Sequence, residues 1–207
     1  MNNTKRIALV VAAIVVTLLF FRSNNNEVET TKLNINAVVL AFGDSLTYGY
    51  GAVDQAYPQQ LEMMIGRKVI NAGISGEVSA TGLKRLPKLL AKHQPALVIL
   101  CHGGNDILRR YSKETLKSNL RKMIALSRAN GAQVLLVGVP GFGLLGLSTV
   151  PLYEELAEEE NVLYEGSVLE MIENEPNLKS DRIHPNAMGY KVMAEAFKEL
   201  LHENGLI

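Results

Sequence analysis

Short apolar runs alternate with amphipathic stretches along the chain from residue 35 onward. Most of the runs are continuous rather than alternating in polarity, which is typical of parallel strands covered on both faces. The predicted strands are Asn36–Phe42, Lys68–Asn71, Ala96–His102, Gln133–Val139 and Asn161–Tyr164. Two later stretches have apolar residues at helical spacing, at 116–127 and 188–201. This alternation predicts an α/β fold, a three-layer α/β/α sandwich around a central, mostly parallel five-stranded sheet.

The N-terminal segment departs from this pattern. Lys5 and Arg6 precede an apolar run at 7–21, and Arg22 closes the run. A basic flank followed by such a run is typical of an export signal, but the small residues of a cleavage site are missing. The favoured interpretation is an uncleaved signal anchor, the second is a cleaved signal peptide, and the third is a buried N-terminal helix.

These features divide the chain into three parts. Residues 1–22 are interpreted as the signal anchor or signal peptide, residues 23–34 as a polar linker, and residues 35–207 as one folded domain. Because a positively charged flank stays on the cytoplasmic side of the membrane, we expect the domain to be exported. Its predicted location is periplasmic or extracytoplasmic, with residues 7–21 as the membrane anchor.

Composition excludes several classes of function. Basic and acidic residues number 21 each, so no net charge attracts nucleic acid, and we expect no nucleic-acid partner. The one cysteine, Cys101, excludes an internal disulfide and a cysteine-based zinc cluster. It is expected to be a buried strand residue.

A serine follows the first predicted strand, in the segment Gly43-Asp44-Ser45-Leu46. In parallel sheets, sites form beyond the carboxyl ends of the strands. At such a turn Ser45 is exposed as a nucleophile beside backbone N–H groups that favour developing negative charge. Asp44 and Ser45 also suit helix capping, which by itself explains them equally well.

Two further strand ends offer hydrogen-bond donors. Gly73-Ile74-Ser75-Gly76 follows the second strand, and its glycines allow the amide of Gly76 to approach an oxyanion closely. Gly103-Gly104-Asn105-Asp106 follows the third strand, where the side-chain amide of Asn105 is a second candidate donor. Each segment alone is also compatible with an ordinary turn.

Asp181-Arg182-Ile183-His184-Pro185 stands directly before the last predicted helix. Serine is a poor nucleophile until a base takes its proton, and histidine has the pKa for that role near neutrality. Asp181, three residues earlier, could hold the imidazole tautomer and stabilise its cation. Pro185 is expected at the first helical position, and a helix start without chemistry is the alternative for this segment.

The four segments together resemble the conserved blocks of the GDSL (SGNH) hydrolase family. They read G-D-S-L, then the glycine of the second block, then G-x-N-D and D-x-x-H-P. The likeness is greatest to the branch of thioesterase I, lysophospholipase L1 and arylesterases, and it covers about residues 36–200. The order serine, aspartate, histidine is also that of α/β-hydrolases, but Thr47 replaces the second glycine of their G-x-S-x-G elbow.

The resemblance implies a flavodoxin-like fold and a serine esterase that forms an acyl-enzyme. Ser45 would be the nucleophile, His184 the base and Asp181 its partner. The amides of Ser45 and Gly76 and the side chain of Asn105 would form the oxyanion hole. The family uses no metal or cofactor and hydrolyses small acyl esters and thioesters, lysophospholipids among them.

Two alternatives stay open at this point. A carbohydrate O-acetylesterase would use the same triad, and a membrane-tethered binding protein would keep the fold without catalysis. The apolar segment 141–150, expected as a loop, leaves the substrate undecided.

Two other features leave this assignment unchanged. The pattern G-x-G-x-x-G at 141–146 matches a dinucleotide fingerprint, but Pro151 predicts that the next helix begins near 151 and not at Gly146. His102 is interpreted as a structural residue, with lining of the site as the alternative.

Overall fold

The computed structural model describes residues 28–143 and 146–207. The predicted signal segment at 1–22 lies outside these residues. Within the described ranges, no helix combines the length and the apolar character needed to cross a membrane.

The strands within the described residues are β1 (Val39–Gly43), β2 (Val69–Gly73), β3 (Leu97–Cys101), β4 (Gln133–Val137), β5 (Pro140–Gly143), β6 (Gly146–Thr149) and β7 (Leu163–Glu165). Five of them are parallel and form the central sheet, in the order β2-β1-β3-β4-β7. All residues of the central strands β1 and β3 are buried, because helices cover both faces of the sheet. The predicted five-stranded parallel sheet is confirmed.

Helices pack on both sides of this sheet. They are α1 (Ser45–Tyr48), α2 (Tyr57–Ile65), α3 (Ser79–His93), α4 (Gly104–Leu108), α5 (Lys113–Ala129), α6 (Leu152–Glu160), α7 (Val168–Asn174) and α8 (Ala187–Glu203). The pair α2 and α8 covers one face, whereas α3, α5 and α6 pack side by side on the other. The result is the predicted three-layer sandwich, and its apolar core runs through both helix–sheet interfaces.

Strand boundaries differ from the predictions by a few residues. The first strand starts at Val39 and not at Asn36, because a turn precedes it in which the Ala37 N–H donates to the Asn34 carbonyl at 3.0 Å. The second strand extends to Gly73, since its residues pair with β1 as far as Gly43.

The segment 141–150, expected as a loop, lies largely in an antiparallel hairpin of β5 and β6. Gly143 pairs with Gly146 across it, so no helix begins at Gly146. The glycine pattern therefore lacks the strand-to-helix turn of a dinucleotide site, as the position of Pro151 had indicated.

Part of the predicted linker packs against the domain. The Leu33 side chain is buried, and its N–H donates to the Leu206 carbonyl at 2.8 Å. The Thr31 N–H donates to the Gln133 side chain at 2.8 Å. Residues 28–34 thus contact the domain instead of standing free of it.

Candidate active site

Ser45 is the first residue of the short helix α1, directly after β1. Asp44 caps this helix, since its Oδ1 accepts the Leu46 N–H at 3.2 Å. The capping role therefore belongs to Asp44, and the Ser45 hydroxyl is available to another partner. The turn is tight: a Cβ placed on Gly73 would lie 2.0 Å from the Tyr48 backbone nitrogen.

Three of the predicted side chains meet in one hydrogen-bonded row. The Ser45 Oγ lies 3.1 Å from the His184 Nε2, and the His184 Nδ1 lies 2.8 Å from the Asp181 Oδ2. An ionised carboxylate only accepts, so Nδ1 carries the imidazole proton and Nε2 is the acceptor for the serine hydroxyl. This is the arrangement of a nucleophile, a base and the group that orients the base.

The two carboxylate oxygens of Asp181 have different roles. Oδ2 holds the imidazole, whereas Oδ1 accepts the N–H groups of Ile183 at 2.7 Å and His184 at 2.8 Å and so shapes the turn. Burial by itself raises the pKa of Asp181, but these hydrogen bonds outweigh it and lower the pKa to about 2. The carboxylate therefore stays ionised at any pH near neutrality.

The loop that carries this pair is closed by local hydrogen bonds. The Ser180 N–H donates to the His184 carbonyl at 2.8 Å, and Lys179 and Pro185 form an isolated antiparallel bridge. The expectation that Pro185 would be the first helical residue is wrong. Helix α8 begins at Ala187, because the Asn186 side chain caps it by accepting two backbone N–H groups.

An aromatic ring that the sequence did not single out packs on the imidazole. The ring centroids of Tyr50 and His184 are 4.4 Å apart, with a tilt of 39°. The Tyr190 hydroxyl donates to the Tyr50 carbonyl at 2.9 Å and holds this backbone in place. Only its position shortly after the G-D-S-L turn could have pointed to Tyr50.

The two other predicted donors lie beside the serine. Gly76 is in a turn closed by the Glu77 N–H and the Ile74 carbonyl at 3.2 Å, and its φ of 77° favours glycine. Asn105 is in α4, and its Nδ2 donates to the Asp44 Oδ2 at 3.2 Å. Since Nδ2 has two hydrogens and Asp44 is its one acceptor among the described residues, the second hydrogen is available to an acceptor in the cleft.

Asp44 supports this amide by accepting its hydrogen bond at the wall of the cleft. The side chain is 2% exposed, and burial raises its pKa. It accepts the Leu46 N–H through Oδ1 and the Asn105 amide through Oδ2, so both oxygens have a donor. The residue thus joins the helix that begins at Ser45 to the candidate oxyanion donor.

Ser45, Gly76, Asn105 and His184 all line one cleft of about 200 Å³. Its lining is mostly apolar. The apolar side chains come from the end of α4, the segment after β4, helix α7 and the loop before α8, and they include Leu108, Val139, Pro140, Leu169 and Ile183. The cleft therefore offers an apolar surface next to the candidate nucleophile Ser45 and candidate hydrogen-bond donors, as a site for acyl groups requires.

Comparison with known proteins decides the family. The profile of the GDSL-like lipase/acylhydrolase family matches residues 41–192. The chain belongs to this family. An arylesterase of Vibrio mimicus is 34% identical over 168 residues, covering 76% of this chain and 84% of the relative. The thioesterase 1/protease 1/lysophospholipase L1 of Escherichia coli is 35% identical over 156 residues, covering 72% and 75%.

Solved structures of GDSL-type esterases share the fold. The crystal structure of TesA has a TM-score of 0.73 and 32% identity, covering 81% of this chain and 99% of its own. AlinE4, an esterase of the SGNH-hydrolase family, has a TM-score of 0.65 and 31% identity, covering 83% and 98%. The fold, the family and the assignment as a GDSL-type ester hydrolase, all predicted from the sequence, are thereby confirmed.

Proposed function

We propose that this GDSL hydrolase cleaves acyl esters through a covalent acyl-enzyme on Ser45. The observation that carries the proposal is the continuous row of Ser45 Oγ, the His184 imidazole and the Asp181 carboxylate, with contacts of 3.1 and 2.8 Å. The row opens into a cleft with an apolar wall, where an acyl group can lie beside the serine.

In the first half of the reaction, the Ser45 Oγ attacks the carbonyl carbon and its proton moves to His184 Nε2. The tetrahedral intermediate collapses when His184 returns that proton to the leaving oxygen or sulfur, which departs and leaves the acyl group on Ser45. In the second half, His184 takes a proton from water as its oxygen attacks the acyl carbon. The second tetrahedral intermediate collapses when His184 returns this proton to the Ser45 Oγ, which breaks the bond to the acyl group, releases the acid and restores the serine hydroxyl. Asp181 stays ionised and stabilises the imidazolium in both halves.

The negative charge that develops on the carbonyl oxygen needs donors. We assign this role to the backbone N–H groups of Ser45 and Gly76 and to the second Nδ2 hydrogen of Asn105. Such donors act on the transition state more than on the bound substrate, because the charge appears only during the reaction.

The proposed substrates are small acyl esters or thioesters, including lysophospholipids. The apolar lining and the modest volume of the cleft favour a short or medium acyl chain. The relatives' names, arylesterase and thioesterase 1/protease 1/lysophospholipase L1, support the same substrate class.

We further propose that the protein is exported and acts in the periplasm or another extracytoplasmic space. In this proposal residues 1–22 hold it at the membrane, residues 23–34 form the connecting segment, and residues 35–207 form the hydrolase domain. The basic flank and apolar run of the sequence support export. Membranes from producing cells, washed with alkaline carbonate, should retain the protein; release into the wash would contradict anchoring.

Labelling with a fluorophosphonate probe tests the serine mechanism. The wild type should be labelled, and Ser45→Ala should not be, because the probe reacts with an activated serine. Ser112→Ala is the matched control, since Ser112 caps the exposed start of α5 and should leave labelling unchanged. An unlabelled wild type, beside a serine hydrolase that is labelled, would contradict the proposal.

Hydrolysis of p-nitrophenyl acetate, octanoate and palmitate, with an acetylated glycan in parallel, tests the substrate class. We expect the octanoate to be hydrolysed with the highest kcat/KM, because its chain can use the apolar wall of the cleft. A preference confined to acetyl groups would contradict the lipid proposal and favour a carbohydrate O-acetylesterase.

A further inference from the structure

A buried ionic cluster lies outside the triad, near the candidate oxyanion hole. It consists of Glu77, Arg85 and His102 and is called the strand-end cluster below. Glu77 is 5% exposed and His102 is fully buried. The Glu77 Oε2 accepts from the Arg85 Nη2 at 2.7 Å and lies 3.2 Å from the His102 Nε2. Every charge in the cluster thus has a partner, which buried charges need.

The arginine of the cluster ties two strands together at their carboxyl ends. Besides its bonds to Glu77, the Arg85 Nη2 donates to the Gly43 carbonyl at 3.2 Å and the Ala72 carbonyl at 2.8 Å. Gly43 ends β1 and Ala72 is the penultimate residue of β2. One guanidinium therefore spans the strand ends that lead to Ser45 and to the Gly76 turn.

The histidine of the cluster adds the third strand. His102 follows β3 directly, and its carbonyl accepts the Tyr153 hydroxyl at 2.9 Å. Its ring contacts Glu77, the neighbour of Gly76, while its backbone leads through two glycines to Asn105. The Glu77–His102 contact is thus a direct link between the two loops that carry these candidate donors.

Packing alone does not explain this histidine. Burial by itself raises the pKa of Glu77, but the hydrogen bonds from His102 and Arg85 outweigh it and lower the pKa. The ionised carboxylate accepts, so the His102 Nε2 donates and Nδ1 is left as an acceptor. Nδ1 has no hydrogen-bond partner among the described residues. An unpaired buried acceptor destabilises the folded state, and an apolar residue here would avoid that cost.

Helix α3 has a glycine where it passes this contact. A Cβ on Gly82 would lie 2.4 Å from the His102 Nε2 and 3.2 Å from the Glu77 Oε2. Glycine inside a helix is less favourable than alanine, because it loses more backbone freedom on folding. Two locally unfavourable features, the unpaired Nδ1 and the helical glycine, therefore accompany the same contact.

We propose that the strand-end cluster positions the oxyanion donors, with the Glu77–His102 contact setting the spacing between the Gly76 amide and the Asn105 side chain. The inference rests on the proposed function of the Ser45 site. The residues of the strand-end cluster are positioning residues, since they act on the reaction through the loops they hold. Supporting contacts of this kind matter because donors must lie close to the position that the oxyanion will occupy.

The substitution His102→Leu removes the donor and the unpaired acceptor together. We expect kcat per folded molecule and the rate of fluorophosphonate labelling to fall by about 10- to 100-fold, because small displacements of reacting groups have effects of this size. KM should change little, and the free energy of unfolding should stay equal or rise. His102→Gln, which keeps a donor near the position of Nε2, should recover part of the rate.

Two further variants make the test specific. Gly82→Ala should slow the reaction like His102→Leu, because its methyl group displaces the imidazole without changing any polar residue. His93→Leu is the control, since His93 ends α3 away from the cluster and should leave kcat unchanged. A wild-type kcat in His102→Leu, or equal losses in the Leu and Gln variants, would overturn the proposal.

A readout without catalysis separates this inference from the proposed function. In ¹⁵N-labelled protein, His102→Leu should shift the Gly76 amide resonance and the Asn105 side-chain resonances, whereas His93→Leu should not. A wild type that does not react with the fluorophosphonate probe would refute the serine mechanism alone. Unchanged resonances in His102→Leu would refute the positioning role, whatever the activity.

Discussion

Replacement of Asn105 by alanine removes one proposed oxyanion donor and leaves the triad in place. The Asn105 Nδ2 uses one hydrogen for the Asp44 Oδ2 at 3.2 Å and has the second for the substrate oxygen. Loss of one such donor typically lowers kcat by about 10²–10³, or roughly 2.7–4 kcal/mol in the activation free energy. We expect KM to change much less, because the donor contacts a charge that exists only in the transition state.

The same substitution has a predictable effect on stability. The Asp44 carboxylate, which is 2% exposed, then keeps the Leu46 N–H as its one donor within the described part of the chain. A buried polar group that loses a partner costs about 1–3 kcal/mol. For a domain of this size, about 1 kcal/mol corresponds to a Tm shift of roughly 2–4 °C. Asn105→Ala should therefore melt several degrees below the wild type.

Steady-state hydrolysis of p-nitrophenyl octanoate, at a temperature where both proteins are fully folded, measures the catalytic part. Differential scanning calorimetry measures the Tm. Asn130→Ala is the control, because Asn130 is exposed at the end of α5 and its Nδ2 donates to the Leu126 carbonyl of its own helix, away from the cleft. A near-wild-type kcat in Asn105→Ala, or a loss confined to KM, would remove Asn105 from the oxyanion hole.

The remaining predictions concern the base and the tight turn. Asp181→Asn should lower kcat by about 10³–10⁴, because an amide no longer selects the tautomer of His184; a loss below tenfold in stopped-flow or steady-state assays would contradict this. The folded pKa of Asp181, about 2, lies below its ordinary 3.8, so its stabilisation is present above about pH 4 and disappears as the pH falls toward 2. The Asp181 side chain is 43% exposed, so its ionisation should contribute at most about 1 kcal/mol to the difference in unfolding free energy between pH 6 and pH 2, measured with urea. Asp181→Asn should lack this contribution. Gly73→Ala should strongly destabilise the fold, because its methyl group meets the Tyr48 backbone; an unchanged Tm would show that α1 can move.

Much of the candidate site could be predicted because its residues follow strands. A parallel sheet brings the carboxyl ends of its strands to one edge, so Ser45, Gly76 and Asn105 were expected near one another before any distance was known. His184, which stands 139 residues after Ser45, was assigned by the chemistry that serine needs and by Asp181 three residues earlier.

Other parts of the structure gave no local signal. The hairpin at 140–149 is dominated by glycines and apolar residues without alternation and ends in Ser148 and Thr149, so no strand pattern is visible there. It is held by contacts from elsewhere: the Thr149 N–H donates to Glu170 at 2.8 Å and its hydroxyl to the Gly166 carbonyl at 2.6 Å. Likewise, no pattern indicated that Tyr50 packs on the imidazole.

The sequence by itself determined the class of fold, the edge of the sheet where the candidate site lies and the resemblance to the family. Periodicity and turn residues contain the first two, because they report which positions are buried and where the backbone must bend. The resemblance rests on the four motif segments. Tertiary structure alone decided which side chains touch. The strand order puts β1 between β2 and β3, and Glu77 meets His102 only where Gly82 leaves room. Contacts across elements depend on close packing and not on local propensity, so they were visible only once the layers were assembled.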